Sequence, residues 1–170
     1  MSYVELHACS AFSFLRGASF PEQLAERAAE LELPAVALLD RNGVYGAQRF
    51  SVASREQGVR PIIGSSLTME DGAVLPVLVA TRAGYANLCS LLTQAHLRSE
   101  KGSCLVCYDE LPEFSAGLIA LFSPAAPQAL PGSTGRWPVP SGGSPGGDDA
   151  QRPRCRHNWA TKPRHNPHRA

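Results

Sequence analysis

Three residues near the N-terminus combine types and positions that could do chemistry: His7, Asp40 and Arg41. His7 closes the run Tyr3-Val4-Glu5-Leu6-His7, and Asp40-Arg41 closes the apolar run Ala35-Val36-Ala37-Leu38-Leu39. In α/β folds, sites are built at the carboxyl ends of strands. An imidazole and a carboxylate placed there suit a divalent metal. The same residues also suit a purely structural arrangement. Asp40 would then accept a hydrogen bond from His7, from Arg41 or from the backbone of the Asn42-Gly43 turn, or form a partly buried ion pair with Arg41. Arg16, Arg41 and Arg49 are candidates for phosphate contact, although scattered arginines on an acidic body are ordinarily solvated surface. Cys104-Leu105-Val106-Cys107 is a C-x-x-C without a second pair or a nearby His pair, which favours incidental thiols over zinc. There is no phosphate loop, serine triad or dinucleotide fingerprint.

The elements that would position these residues follow from periodicity. Tyr3 to His7 predicts a strand with Val4 and Leu6 toward the core and Glu5 and His7 on the other face. Ser19-Phe20-Pro21-Glu22 predicts a helix start, with Ser19 as cap in an S-x-x-E box. Leu24, Ala25, Ala28 and Leu31 recur at helical spacing, and Pro34 ends the helix. Ala35 to Leu39 predicts a buried strand, as in a βαβ unit with a parallel sheet. A second helix is expected from about Tyr45 to Gln57, stopped by Gly58. Arg60 to Ile63 predicts a third strand closed by Gly64. Leu67 to Met69 and Val74 to Ala80 flank Glu70-Asp71-Gly72 as a hairpin. Thr81 is the expected cap of a third helix from about Ala83 to Ala95, with Leu88, Leu91, Leu92 and Ala95 on one face. Tyr108 to Leu111 predicts a helical turn and Gly117 to Phe122 a last strand. Strands alternating with helices make the fold class α/β.

Charge divides the 170 residues in two. Residues 1–122 carry nine Lys and Arg against thirteen Asp and Glu, a net −4; residues 123–170 carry seven against two, a net +5. Nine of the fourteen prolines also lie in 123–170, so that stretch lacks the apolar period that offsets ordering entropy. The expected organisation is a body over 1–122 and a disordered Pro-, Gly- and Arg-rich tail over 123–170. An acidic body does not match a domain with a basic DNA-binding face. In the tail, Arg152, Arg154, Arg156, Arg164 and Arg169 suit weak electrostatic attachment to nucleic acid. Cys155 with His157, His165 and His168 has no spacing of a known zinc module. Five cysteines of irregular spacing, with no signal peptide or long apolar run, point to a cytoplasmic setting without a membrane partner.

The opening stretch carries a family resemblance. A strand, His7, Ser10, Phe12, Ser13 and the exit Gly17-Ala18-Ser19 resemble the start of the PHP (polymerase and histidinol phosphatase) domain, in the form found at the N-terminus of bacterial error-prone DNA polymerases, which are C-family alpha-subunit relatives. The resemblance continues through Val36 to Arg41, Pro61 to Leu67 and Gly84 to Cys89, and covers about Ser2 to Phe122. It implies the first half of a distorted (β/α) barrel, with nothing similar to the polymerase palm, fingers or thumb. A pattern that stops within a sheet, followed by an abrupt change of composition, implies a truncation or reading-frame shift after Phe122.

The resemblance also implies a site, and shows it depleted. The family's active pattern ends its first strand in His-x-His; here it is His7-Ala8-Cys9. Its second strand ends in Asp-His; here it is Asp40-Arg41. Its third ends in Gly-x-Glu; here it is Gly64-Ser65-Ser66. His7, Cys9 and Asp40 are the remnant of a metal site, and Arg41 and Ser66 are degenerate ligand positions. The family's PHP site would hold zinc or manganese and its polymerase core magnesium; none is expected here. Implied partners are DNA and replication or repair proteins, in a setting of damage-tolerant synthesis. The chain is thus expected to be a non-catalytic PHP fragment of an error-prone DNA polymerase. Two other functions remain open: a stand-alone metal-dependent phosphoesterase, and a small nucleic-acid-binding protein acting through its basic tail.

Overall fold

A computed structural model describes residues 3–122. The expected tail over 123–170, with its boundary after Phe122, lies outside them. The described elements are β1 (Glu5–Ala8), α1 (Pro21–Glu30), β2 (Ala35–Arg41), α2 (Ala47–Glu56), β3 (Arg60–Thr68), β4 (Val74–Val79), α3 (Arg82–Arg98), a 3-10 turn (Tyr108–Glu110), α4 (Leu111–Phe114) and β5 (Leu118–Ala120). They form one five-stranded sheet in the order β1-β2-β3-β4-β5. The fold is α/β. β1, β2 and β3 run parallel, and β4 and β5 continue antiparallel. The hairpin between β3 and β4 turns at Gly72, whose φ is +85°, a value glycine adopts without strain.

β2 is the spine. Ala37, Leu38 and Leu39 are 0–2% exposed, because the strand is covered on both faces. Alternation sends Val36, Leu38 and Asp40 to one face, in register with Pro61, Ile63 and Ser65 of β3. All three long helices pack there. α1 and α2 contribute Ala25, Ala28 and Phe50 against Val36 and Leu38. α3 contributes Leu88, Leu91, Leu92 and Ala95 against Leu67, Met69 and Val77. The other face carries Ala37 and Leu39 with Ile62 and Leu78. Arg41 and Ser66, paired in the parallel register, belong to this second face.

Several boundaries differ from expectation. β1 starts at Glu5, and Leu6 is 37% exposed; among the described residues β1 is an edge strand with a neighbour on one side. α1 is capped by Phe20, whose N–H donates to Gln23 Oε1 at 2.9 Å; Ser19 and Glu22 form no capping box, and Glu22 pairs instead with Arg49. α1 ends at Glu30, ahead of Pro34, and Leu31 lies exposed beyond it. Gly64 does not close β3, which runs on to Thr68. A Cβ at Gly64 would sit 2.2 Å from Val77 O, so close strand approach explains the glycine. Thr81 caps α3 as expected, accepting from Gly84 N at 3.0 Å. No helix among the described residues is long and apolar enough to cross a membrane.

Candidate functional site

The carboxyl ends of β1, β2 and β3 lie side by side, so the topology brings His7, Cys9, Asp40, Arg41 and Ser66 into one neighbourhood. It does not bring their side chains to one point. His7 Nε2 lies 3.1 Å from Ser66 Oγ, reaching across β2 on the face that carries Arg41. Asp40 points to the helix side. His7 and Asp40 therefore form no pair, and the expected donors to Asp40 (His7, Arg41 and the Asn42-Gly43 backbone) are not its partners.

Asp40 is 1% exposed and held by four donors. Oδ1 accepts from Ser10 N at 2.9 Å, Ser10 Oγ at 2.8 Å and Ser13 Oγ at 2.8 Å. Oδ2 accepts from Gly46 N at 3.0 Å. A carboxylate has only acceptor capacity, and these donors occupy both of its oxygens. The serines are themselves satisfied: Ser10 Oγ accepts from Phe12 N, and Ser13 Oγ accepts from Arg41 N at 3.0 Å. Ser65 Oγ donates to the Asp40 carbonyl at 3.0 Å and accepts from Gly43 N at 3.1 Å. Gly17 completes the loop after β1. A Cβ there would stand 2.1 Å from Ser10 O, so no other residue lets the loop close over Asp40. This network locks three segments together: the loop at 10–17, the end of β2 and the entry to α2. The serines and Gly17 stood in the sequence as members of a spaced motif, but no periodicity connects them to a carboxylate about thirty positions away.

The opposite side is positively charged. Arg41 is half-buried, and among the described residues its guanidinium has no carboxylate at ion-pairing distance and no hydrogen bond. The expected Asp40–Arg41 ion pair is not formed. Burial, and then the charge of Arg16, lower the Arg41 guanidinium from its ordinary value. Burial also pushes the Cys9 thiol up; the Asp40 charge adds to this and Arg16 opposes it. Arg16 and Arg41 hang on the same residue, since Arg16 N donates to Ser13 O at 2.9 Å and Arg41 N to Ser13 Oγ.

This arrangement does not fit the metal site that the resemblance implies. Both Asp40 oxygens are used inside the fold, on the far side of β2 from His7. The Cys9 thiol is shifted away from the thiolate that metals require. Arg41 puts a fixed cation on the ligand face. Among the described residues no three His, Cys, Asp or Glu side chains converge. Cys104 belongs to the core cluster of the α3 leucines, and Cys107 is buried next to Val106, which bridges Met69 just beyond the end of β3.

The PHP domain family matches residues 5–143. An error-prone DNA polymerase of Pseudomonas fluorescens is 42% identical over 136 residues, covering 80% of this chain and 13% of that protein. One of Symbiobacterium thermophilum is 49% identical over 100 residues, covering 59% of this chain and 9% of that protein. The chain thus spans roughly an eighth or less of the curated relatives it matches. Among solved structures, a protein described as a metal-dependent phosphoesterase from Bifidobacterium adolescentis aligns with a TM-score of 0.46 and 22% identity, over 57% of this chain and 34% of that one.

Proposed function

The chain belongs to the PHP domain family, and on that premise we propose that it is a PHP region of the error-prone DNA polymerase type that serves as a structural module, without metal-dependent catalysis of its own. The observation that carries this reading is the fate of Asp40. A carboxylate at a strand end, in position to serve a metal, is instead the buried acceptor that fastens the first loop to the sheet. Its work is done inside the fold. With Asp40 committed, the face of Arg41 retains His7 beside a guanidinium and a hydroxyl, too few donors to bind metals and activate water.

In a full-length protein of the relatives' kind, such a module would stand beside the polymerase core in the cytoplasm, with DNA and replication or repair proteins as partners. A stand-alone phosphoesterase would need the ligands that Arg41 and Ser66 replace. Metal analysis after dialysis against zinc and manganese, together with phosphate-release and primer-extension assays, tests the proposal. We expect no stoichiometric metal and no turnover. A tightly held ion that disappears in His7→Ala, or activity lost in that variant, would refute it.

A further inference from the structure

We propose that the loop at residues 10–17, together with Phe20, is a self-association surface that seats on the same surface of a second copy of this chain. The inference goes beyond the structural role proposed above.

The surface is apolar and held outward. Phe12 and Phe20 are 40% and 51% exposed, and both rings lie against the guanidinium of Arg49, 5.5 and 5.7 Å from their centroids. Phe14 and Leu15 stand in the tight turn that Ser13 O closes by accepting from Arg16 N and Gly17 N, and they are 83% and 89% exposed. Apolar loop residues gain by folding back onto the core. This loop is pinned away from that course. Ser10 and Ser13 fix it to the buried Asp40, and Ala11 N donates to Ser19 O at 2.8 Å across its neck. Leu15 has a φ of +61°, a left-handed conformation that a leucine adopts only under constraint. Strain of this kind persists where the surroundings impose it, and it clusters at sites of contact.

Size and charge decide what covers the surface. At roughly 200 Å² per aromatic residue, the three rings alone leave about 350 Å² in water, before Leu15 is added. That lies within the roughly 300–600 Å² of the largest apolar patch on a monomer, where such patches mark contacts. It supplies the apolar centre of an interface of about 800 Å² a side. The charges beside the rings cancel, since Arg49 donates to both carboxylate oxygens of Glu22. An apolar patch beside a neutral pair offers no cation to the phosphates of a nucleic acid. It is complementary to itself, which is what a twofold dimer requires. The formal net charge of +1 puts little repulsion between copies.

Sedimentation velocity of the full 170-residue chain over a range of concentrations tests the surface. We expect a monomer–dimer equilibrium whose mass rises toward twice the 18.2 kDa of the chain. Leu15→Asn removes the aliphatic side chain and keeps a residue type that tolerates the left-handed conformation, so the monomer stays folded. Twofold symmetry counts each change twice, so this variant weakens dimerisation by about a hundredfold. Phe14→Ser weakens it by at least as much. Leu97→Gln, at an exposed leucine of α3, leaves the equilibrium unchanged. Circular dichroism and urea midpoints check that each variant is folded. A chain that stays monomeric up to about 1 mM, the weak end of specific association, overturns the proposal. A dimer that Leu15→Asn and Phe14→Ser leave intact, or growth into species larger than a dimer, overturns it as well.

Discussion

Ser13 Oγ donates to Asp40 Oδ1 at 2.8 Å and accepts from Arg41 N at 3.0 Å, so one hydroxyl ties the loop after β1 to both the side chain and the backbone at the end of β2. Ser13 is 3% exposed, and water cannot easily replace it. Ser13→Ala should cost about 1–3 kcal/mol, the price of a buried group left without its partner. Asp40→Ala strands Ser10 N, both serine hydroxyls and Gly46 N together, and should cost about 3 kcal/mol or more on the same scale. Urea unfolding of the two variants measures this. A loss under about 0.5 kcal/mol for Asp40→Ala would be the scale of an ordinary surface change, and the network would then hold nothing together.

Two glycines are placed by close approach. Gly17→Ala drives a Cβ against Ser10 O, and Gly64→Ala drives one against Val77 O. In both cases the obstacle is backbone, which cannot swing aside as a side chain would. Each variant should be destabilised by about 1–3 kcal/mol through overpacking. Gly17→Ala should also disturb the amides of Ser10 and Ser13, because its strain falls on their loop. Chemical shifts in a proton–nitrogen spectrum distinguish the two: changes centred on residues 10–17 for the first and on the β3–β4 pair for the second. Normal stability in Gly64→Ala would mean that the strands separate more readily than their register suggests.

These two sets of residues also mark how far the sequence could be read. β2, α2, the hairpin and α3 were legible because each is written in a local pattern: an unbroken apolar run, a stop glycine, an Asp-Gly turn, or leucines at helical spacing behind Thr81. Leu6 and Leu31 misled because apolar type alone does not say whether a position lies at an edge. Leu6 is on a strand that has one neighbour among the described residues, and Leu31 follows the last turn of α1. Gly64 looked like a terminator because a glycine's reason is invisible until its neighbour across the sheet is known. The strand-end positions of His7 and Asp40 were legible, but their opposite facing was not. Facing depends on the shift in β1–β2 register between Glu5 and Ala8 and on serines that reach Asp40 through three dimensions.

A pH dependence follows from Glu22 and Arg49. Arg49 Nε and Nη2 donate to the two carboxylate oxygens at 2.5 and 2.9 Å, and its guanidinium lies over the rings of Phe12 and Phe20, 5.5 and 5.7 Å from their centroids. The hydrogen bond from Arg49 holds the Glu22 carboxyl below its ordinary value. The folded value therefore lies below the unfolded one, so the pair's contribution is present above the unfolded carboxyl range and is lost as pH falls through the folded value. Both side chains are partly solvated, which limits the effect to about 0.2–1 kcal/mol. Glu22→Gln should be less stable than wild type at neutral pH by that amount and equal to it in acid below the folded carboxyl value. The same deficit at both pH values would assign the loss to packing and not to charge.

The last prediction uses the face that His7 shares with Arg41 and Ser66. Parallel register places residues 41 and 66 directly opposite one another, and His7 Nε2 already reaches Ser66 Oγ. Cys9 follows directly on the last residue of β1, within the same cluster of strand ends. If the missing metal site is a matter of donor chemistry and not of backbone geometry, restoring donors should restore binding. The combined variant Cys9→His, Arg41→His, Ser66→Glu replaces a thiol shifted up by burial, a fixed cation and a weak hydroxyl with two imidazoles and a carboxylate. With His7 this supplies four ligands, enough for one tetrahedral zinc. We expect the variant to retain about one equivalent of zinc after dialysis, against none for the wild-type chain. Asp40→Ala in the same background should lower stability and leave the zinc stoichiometry of the folded fraction unchanged, because Asp40 serves the other side of β2. A folded triple variant that retains no zinc would place the fault in the backbone, and zinc lost specifically with Asp40 would return that carboxylate to the metal side.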